Sequence, residues 1–226
     1  MKRSLLTLIG GVAITCLSSS AMAGLLDFTD AALIGSLTKI SNGYSGTIDG
    51  IGFTLTSSDG SVNFKQNYDG STSAGCQSSG GDLKCDKDGT GIGDDEIAGY
   101  GVGGQTLTLA FDRSVNLSGF HFLDLYVNPN GSGAKEQATI SIDGVLSGTV
   151  DAIGSNGDGG YANLMMSPKL GQIVQFTAAA DPIFWDDSNN DYALAGVNVS
   201  AVPLPATIWL FATALAGFGG IRRIVK

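Results

Sequence analysis

Short runs in which apolar and polar residues alternate dominate the middle of the chain and predict β-strands. The run at 47–56 is typical, because it places Ile51, Phe53 and Leu55 on one face of an extended segment. Asp143-Gly144 between two such runs indicates a tight hairpin. The other predicted strands are 61–68, 105–111, 115–127 with a bend at Gly119, 138–142, 145–150, 172–177 and 192–199.

The number and spacing of these runs predict the fold class. No segment of the body keeps a helical period, and residues 69–104 are rich in Gly, Ser and Asp without any periodicity. About eight short strands at this spacing are typical of two packed antiparallel sheets. We therefore expect an all-β, jelly-roll-like β-sandwich.

The C-terminus has a different pattern, in which an apolar run lies between a proline motif and a basic end. As a helix, residues 206–221 would span about 24 Å, slightly less than the roughly 30 Å hydrocarbon core of a bilayer. A basic end places that side in the cytoplasm. A plain tail anchor or a buried core helix is the alternative, and only Thr207 and Thr213 interrupt the run. The flanking residues are Val202, Pro203, Leu204, Pro205 and Ala206 before it, and Arg222 and Arg223 after it.

This order of motif, short apolar helix and Arg-Arg tail resembles the PEP-CTERM sorting signal, in its VPLPA-CTERM variant. Leu204 stands where that family usually has Glu. The resemblance implies cleavage near the proline motif by an exosortase, a protease of the inner membrane. It also implies that the body of the protein is then released or attached at the surface of a Gram-negative bacterium that makes exopolysaccharide.

The N-terminus predicts secretion. The start Met1-Lys2-Arg3 is basic, and together with an apolar run at 5–17 and the Ala21-Met22-Ala23 cleavage motif it is typical of a signal peptide. Cys16 lacks the small neighbours that a lipoprotein signal needs. We therefore expect three parts: a signal peptide at 1–23, a body at 24–201 and a sorting signal with a transmembrane helix at 202–226.

Charge limits the partners of the body. It holds all 21 acidic residues of the chain and seven of the 12 basic ones, which leaves a net charge of −14. Such a surface repels nucleic acid and anionic membranes and attracts divalent cations. The block from Gly91 to Phe120 is also similar to carbohydrate-binding-module sandwiches often found upstream of PEP-CTERM signals, which implies a fold more than an activity.

Two cysteines remain after removal of the signal peptide. Cys76 and Cys85 lie in the same Gly-rich segment of an exported chain, so we expect a disulfide between them, with two free thiols as the alternative.

Directly after Cys85, residues 86–96 contain five carboxylates within 11 residues. Such like charges are costly to hold together unless a cation neutralises them, and Ca²⁺ prefers oxygen ligands from flexible loops. The segment begins like an EF-hand loop and departs from that pattern at its end. A Ca²⁺ site and a solvated acidic loop both stay open for Asp86, Asp88, Asp94, Asp95 and Glu96.

A second acidic group surrounds Trp185. An aromatic ring beside Asp186 and Asp187 is typical of sugar-binding loops, whereas a core aromatic flanked by an exposed acidic turn explains the same pattern. His121 is the only histidine, and its strand position beside two phenylalanines gives a catalytic triad or zinc site little support.

These patterns together predict a non-enzymatic, exported cell-surface or matrix protein that associates with exopolysaccharide in a biofilm. The alternatives are a secreted polysaccharide-active enzyme and a structural spacer without a ligand.

Overall fold

Antiparallel strands make up most of the body, and every strand pairing in the described residues is antiparallel. The computed structural model describes residues 23–64, 66–70, 83–93, 96–99, 104–127, 135–153, 159–178, 190–202 and 211. Residues 22–202 form one compact unit. The all-β prediction is confirmed.

The described elements follow one another in a simple order. They are β1 (Ala23–Asp27), α1 (Ala31–Ser36), β2 (Thr38–Ile40), β3 (Gly43–Ile48), β4 (Ile51–Ser57), β5 (Val62–Asn63), β6 (Gly91–Ile92), β7 (Thr106–Leu123), β8 (Gln137–Ile142), β9 (Val145–Asp151), β10 (Ala162–Ala178) and β11 (Ala193–Ala201).

Two long strands, β7 and β10, connect the two halves of the main sheet. The start of β7 pairs with β4 and with the end of β10, in a row of strands ordered β2-β3-β4-β7-β10-β8-β9. The end of β7 pairs with β11, which in turn pairs with β1. Register shifts in β10 lie between Met165 and Lys169 and between Gly171 and Ile173. Bulges of this kind bend a strand and let it contribute to both halves.

Aromatic residues from the two halves meet in the core. Phe176, near the end of β10, lies edge-to-face against Phe120 and Phe122, near the end of β7, with ring centroids 5.8 and 6.2 Å apart. Burial of such rings is the main source of stability in a sandwich. The arrangement is therefore sandwich-like, with one shared apolar core.

The end of β7 is buried on both of its faces. Phe120 and Phe122 face the main core, whereas Leu123 belongs to a second apolar cluster with Tyr161 and Leu83. Leu83 comes from the segment 83–90, which runs over β11: Thr90 and Leu194 exchange backbone hydrogen bonds at 3.0 Å. This covering segment contains Asp88 and brings it next to the end of β7.

Several predicted strand boundaries are wrong. The predicted strand 47–56 is two strands, because Asp49 and Gly50 adopt positive φ (49° and 74°) and turn the chain between β3 and β4. The predicted strand 61–68 is only Val62–Asn63, and Gln66 is exposed. The expected break between 111 and 115 is absent, since β7 runs from Thr106 to Leu123 with Gly119 inside it.

Other predictions of local structure are confirmed. Ile51, Phe53 and Leu55 share the buried face of β4. Asp143 and Gly144 form the two-residue turn between β8 and β9, with φ of 50° and 77°. Among the described residues, no helix has the length and apolar character needed to span a membrane. The predicted helix at 206–221 lies outside the described residues except for Phe211.

Candidate metal centre

Three aspartates from distant parts of the sequence converge beside the second apolar cluster. One carboxylate oxygen from each of Asp69, Asp88 and Asp124 lies within 4.8 Å of the other two. Asp88 and Asp124 are 4% and 6% exposed, whereas Asp69 is open to solvent. This group is here called the Asp triad.

Asp124 is placed by the end of β7 and by a glycine turn. It adopts a left-handed conformation with φ of 56°, which aspartate tolerates better than most residues. The backbone N–H groups of Asp124 and Leu125 donate to the carbonyl oxygens of Gly159 and Gly160 at 3.0 and 3.1 Å. A Cβ on Gly160 would lie 2.3 Å from the Leu125 nitrogen, so only glycine permits this approach.

Asp88 is placed by contacts between its own segment and the strands beneath. The N–H groups of Asp86 and Lys87 both donate to the carbonyl oxygen of Thr29 at 3.1 Å. Gly89 has φ of 103°, and a Cβ there would lie 2.6 Å from the carbonyl oxygen of Leu194. The segment therefore passes close to β11 and turns the Asp88 side chain inward, where it is buried.

Asp69 completes the Asp triad from a third segment. Its N–H donates to the Asp88 carboxylate at 3.3 Å. On either side of it, Tyr68 and Gly70 pack against Gly159, and a Cβ on Gly70 would lie 2.8 Å from the Gly159 Cα. The glycine turn that fixes Asp124 therefore also supports the chain around Asp69.

The Asp triad has the chemistry of a site for a hard cation. Like charges at this separation repel, and burial of two carboxylates removes the water that would screen them. Ca²⁺ takes six to eight oxygen ligands, and three aspartates supply a set that backbone carbonyls and water can complete. The Tyr126 hydroxyl donates to Asp124 at 2.9 Å. Burial and the charges of Asp124, Asp69 and Asp88 raise the pKa of Tyr126, so this donor stays protonated.

A second buried acid lies next to this region. Glu136 is 3% exposed, and its carboxylate accepts the N–H of Tyr126. Burial raises the pKa of Glu136 to about 9, with smaller contributions from the charge of Asp191, from a hydrogen bond to Asp191 and from the charge of Asp124. The raised pKa therefore favours the protonated form of Glu136, next to the side chain of Asp191.

The predicted calcium ligands do not meet as one group in the described part of the chain. Asp88 belongs to the Asp triad, but Asp86 is exposed and accepts the N–H of Ala31 at 3.2 Å. Glu96 is half-buried beside β6. Asp94 and Asp95 lie outside the described residues. Asp69 and Asp124 were not predicted, because no local pattern joins three acids that lie 19 and 36 positions apart.

Several other predicted sites lie outside the described residues. These are the predicted sugar-binding residues Trp185, Asp186 and Asp187, the predicted sorting residues Pro203, Leu204, Pro205, Ala206, Arg222 and Arg223, and Cys76. Val202 is the last residue of its described range and is exposed. Cys85 is half-buried with φ of 59°, and its pairing with Cys76 stays a prediction.

His121 has a packing role. It is 3% exposed, and its two ring nitrogens lie 2.9 Å from the Tyr161 hydroxyl and 3.3 Å from the Asn198 side-chain oxygen. A histidine enclosed in this way is held in one orientation and is not open to a substrate.

The fold and the Asp triad define a class of protein: an antiparallel, sandwich-like all-β body with an acidic group that could hold a divalent cation. Comparison with protein-family models, with curated proteins and with solved structures found no match.

Proposed function

We propose that this chain is an exported, non-enzymatic protein of the cell surface or extracellular matrix that associates with exopolysaccharide. The observation that carries the proposal is the C-terminal order of Val202–Ala206, an apolar run and Arg222-Arg223, together with the Ala21-Met22-Ala23 motif at the other end. In this proposal an exosortase of the inner membrane processes the tail, and the body is a jelly-roll-like sandwich. An all-β body with net charge −14 suits an extracellular role and disfavours nucleic acid as a partner.

The test of processing is mass spectrometry of both ends of the protein recovered from a host with a matching exosortase. We expect an N-terminus at Gly24 and loss of the segment after the Val202–Ala206 motif. A matched variant, Arg222→Gln with Arg223→Gln, keeps the apolar run and removes the basic end, so it should reduce processing. Intact Arg222-Arg223 on the mature surface protein would overturn the sorting role.

Calcium belongs to this proposal as a structural ion of the body. The Asp triad holds Ca²⁺, because two of its carboxylates are buried and all three approach within 4.8 Å. Extracellular modules bind Ca²⁺ with dissociation constants of roughly 10⁻⁴ to 10⁻³ M, so binding is saturated only at millimolar calcium. The ion ties the end of β7 to the segments around Asp69 and Asp88.

One observation favours a competing function, a polysaccharide-cleaving enzyme. Burial raises the pKa of Glu136 and so favours its protonated form, which the general acid of a glycosidase requires. Its burial argues against that role, since a general acid has to reach the glycosidic oxygen. Release of reducing ends from the host's own polysaccharide, lost in Glu136→Gln, would establish the enzyme in place of the non-enzymatic protein.

A further inference from the structure

A cleft lies between α1, β2, β3 and the small β5–β6 sheet. It has a volume of about 410 Å³, within the roughly 300–1,000 Å³ of small-molecule sites. Its lining includes Ile34, Lys39, Tyr44, Ser61, Asn63 and Phe64.

The walls of the cleft combine an aromatic surface with polar groups. Tyr44 is half-buried, and its ring lies edge-to-face against Phe64 with centroids 5.2 Å apart. Lys39 lies directly opposite Tyr44 in the β2–β3 pairing. Ser61 stands on the facing wall, where its carbonyl oxygen accepts the N–H of Gly93 at 2.8 Å. The ring is therefore fixed by the core, and the polar groups are arranged around it.

Three of these polar groups make no hydrogen bond or ion pair within the described part of the chain. They are the Lys39 ammonium, the Tyr44 hydroxyl and the Ser61 hydroxyl. Polar groups that converge on a cleft and are not used by the protein are available to orient a ligand. An aromatic face beside hydroxyl and ammonium donors complements a sugar ring, which has an apolar face and a rim of hydroxyl groups.

We infer that this cleft binds a neutral pyranose unit of a polysaccharide. The inference rests on the proposed association with exopolysaccharide and gives that association a location. Neutral sugars are favoured because a body of net charge −14 repels a polyanion, while Lys39 can donate its hydrogen bonds to hydroxyl groups. Tyr44 stacks against the ring, and Ser61 binds its rim.

The test uses the full chain in mild detergent, with calorimetric titration of tetrasaccharides of glucose, galactose and mannose and, separately, of tetragalacturonate. We expect binding of at least one neutral tetrasaccharide. Ser61→Trp should abolish it, because the indole fills the cleft from an exposed position without removing a core contact. Lys39→Gln should weaken it about tenfold and Tyr44→Phe about threefold, as expected for a charged and a neutral hydrogen bond. The exposed Lys135, far from the cleft in sequence, provides the control Lys135→Gln, which should bind as the wild type does.

In the titration, the inference is overturned if no neutral tetrasaccharide binds, whether or not tetragalacturonate does, or if neutral binding survives Ser61→Trp. A parallel sedimentation assay with the host's exopolysaccharide separates the two proposals. If wild type and Ser61→Trp bind the polymer equally well, the cleft is not the binding site, and the proposed function stands. If neither protein binds the polymer or any tetrasaccharide, both proposals fail.

Discussion

The carboxylate of Asp27 accepts a hydrogen bond of 2.8 Å from the backbone N–H of Lys84, 57 residues further along the chain. Its other oxygen accepts the N–H and the hydroxyl of Thr29 at 2.8 and 2.6 Å. The Thr29 hydroxyl in turn accepts the N–H of Cys85 at 2.9 Å. Asp27 is 7% exposed, so this network is shielded from water and fixes the start of the segment that carries Asp88.

Replacement of Asp27 should therefore destabilise the body. Asp27→Asn turns one acceptor oxygen into a donor that faces an N–H or hydroxyl group, which leaves buried donors unpaired. We expect the free energy of unfolding to fall by about 1–3 kcal/mol. Urea denaturation measures the change, with Asp59→Asn at an exposed position as the control. An unfolding midpoint equal to that of the control would show that water replaces these bonds.

The buried acid Glu136 predicts how stability depends on pH. Its pKa is about 9 in the folded protein against 4.5 when unperturbed, so between these values the folded state binds a proton that the unfolded state has lost. This contribution to stability is present below about pH 4.5 and disappears as pH rises towards 9.

Glu136→Gln imitates the protonated acid, since an amide can accept the N–H of Tyr126 and donate to Asp191. We expect the variant to be more stable than the wild type at pH 8–9 and its stability to vary less with pH. Thermal unfolding at a series of pH values tests this. Parallel curves for the two proteins would mean that Glu136 is ionised in the folded state.

Calcium should raise the melting temperature of the full chain. An ion at 100 times its dissociation constant stabilises the folded state by about 2.7 kcal/mol. Asp88→Asn and Asp124→Asn should abolish the difference between calcium and chelator, and asparagine tolerates the left-handed conformation of Asp124.

Asp86→Asn is the matched control for calcium, because this neighbouring acid lies outside the Asp triad. Asp86→Asn should show the same calcium-dependent rise in melting temperature as the wild type. A shift that is lost in Asp86→Asn and kept in Asp124→Asn would move the site to the residues predicted from local charge density.

The glycine turn beneath the Asp triad gives a steric test. Gly160→Ala places a Cβ 2.3 Å from the Leu125 nitrogen, and Gly144→Ala is a control with similarly positive φ but open space. In the control variant, the free energy of unfolding should fall by about 1 kcal/mol, because alanine is disfavoured at positive φ. In Gly160→Ala, the free energy of unfolding should fall by at least about 2 kcal/mol more than in the control. The variant should also bind calcium more weakly. Equal losses in the two variants would show that the turn moves without cost.

The predicted disulfide can be tested by chemistry. Exported protein should resist alkylation at Cys76 and Cys85 until it is reduced. Cys76→Ser should then leave Cys85 reactive, because Cys85 is only half-buried. Alkylation of both thiols without reduction would contradict the bond.

Local patterns predicted part of this structure, and the reasons are physical. Alternation identified the inward face of β4, and Asp143-Gly144 identified the turn between β8 and β9, because both signals depend on neighbours in sequence. Asp49-Gly50 is the same signal, but it lay inside an alternating run and was missed. The first half of β10 was missed because most of its side chains are exposed or half-buried and show no clear alternation.

The Asp triad depends on the meeting of three segments, which no local pattern contains. Charge density pointed to the segment of Asp88 and to calcium. Asp69 and Asp124 become its neighbours only because the glycine turn at 159–160 and the end of β7 are brought together by the fold. One observation could have suggested Asp124: an acid next to the end of a strongly apolar strand.

The place of β11 in the sheet has a consequence for the timing of export. β11 lies between β1 and β7, and Gly24, the expected first residue of the mature chain, pairs with Val199 near the end of β11. Among the described strands β1 pairs only with β11, so it has no partner until residues 193–201 have been delivered, immediately before the proposed sorting motif. In an exported chain, the sheet cannot close while its last strand is still inside the translocation channel. If the chain is exported as proposed, the body crosses the membrane without its finished tertiary structure, and the arrival of the proposed sorting signal coincides with the completion of folding.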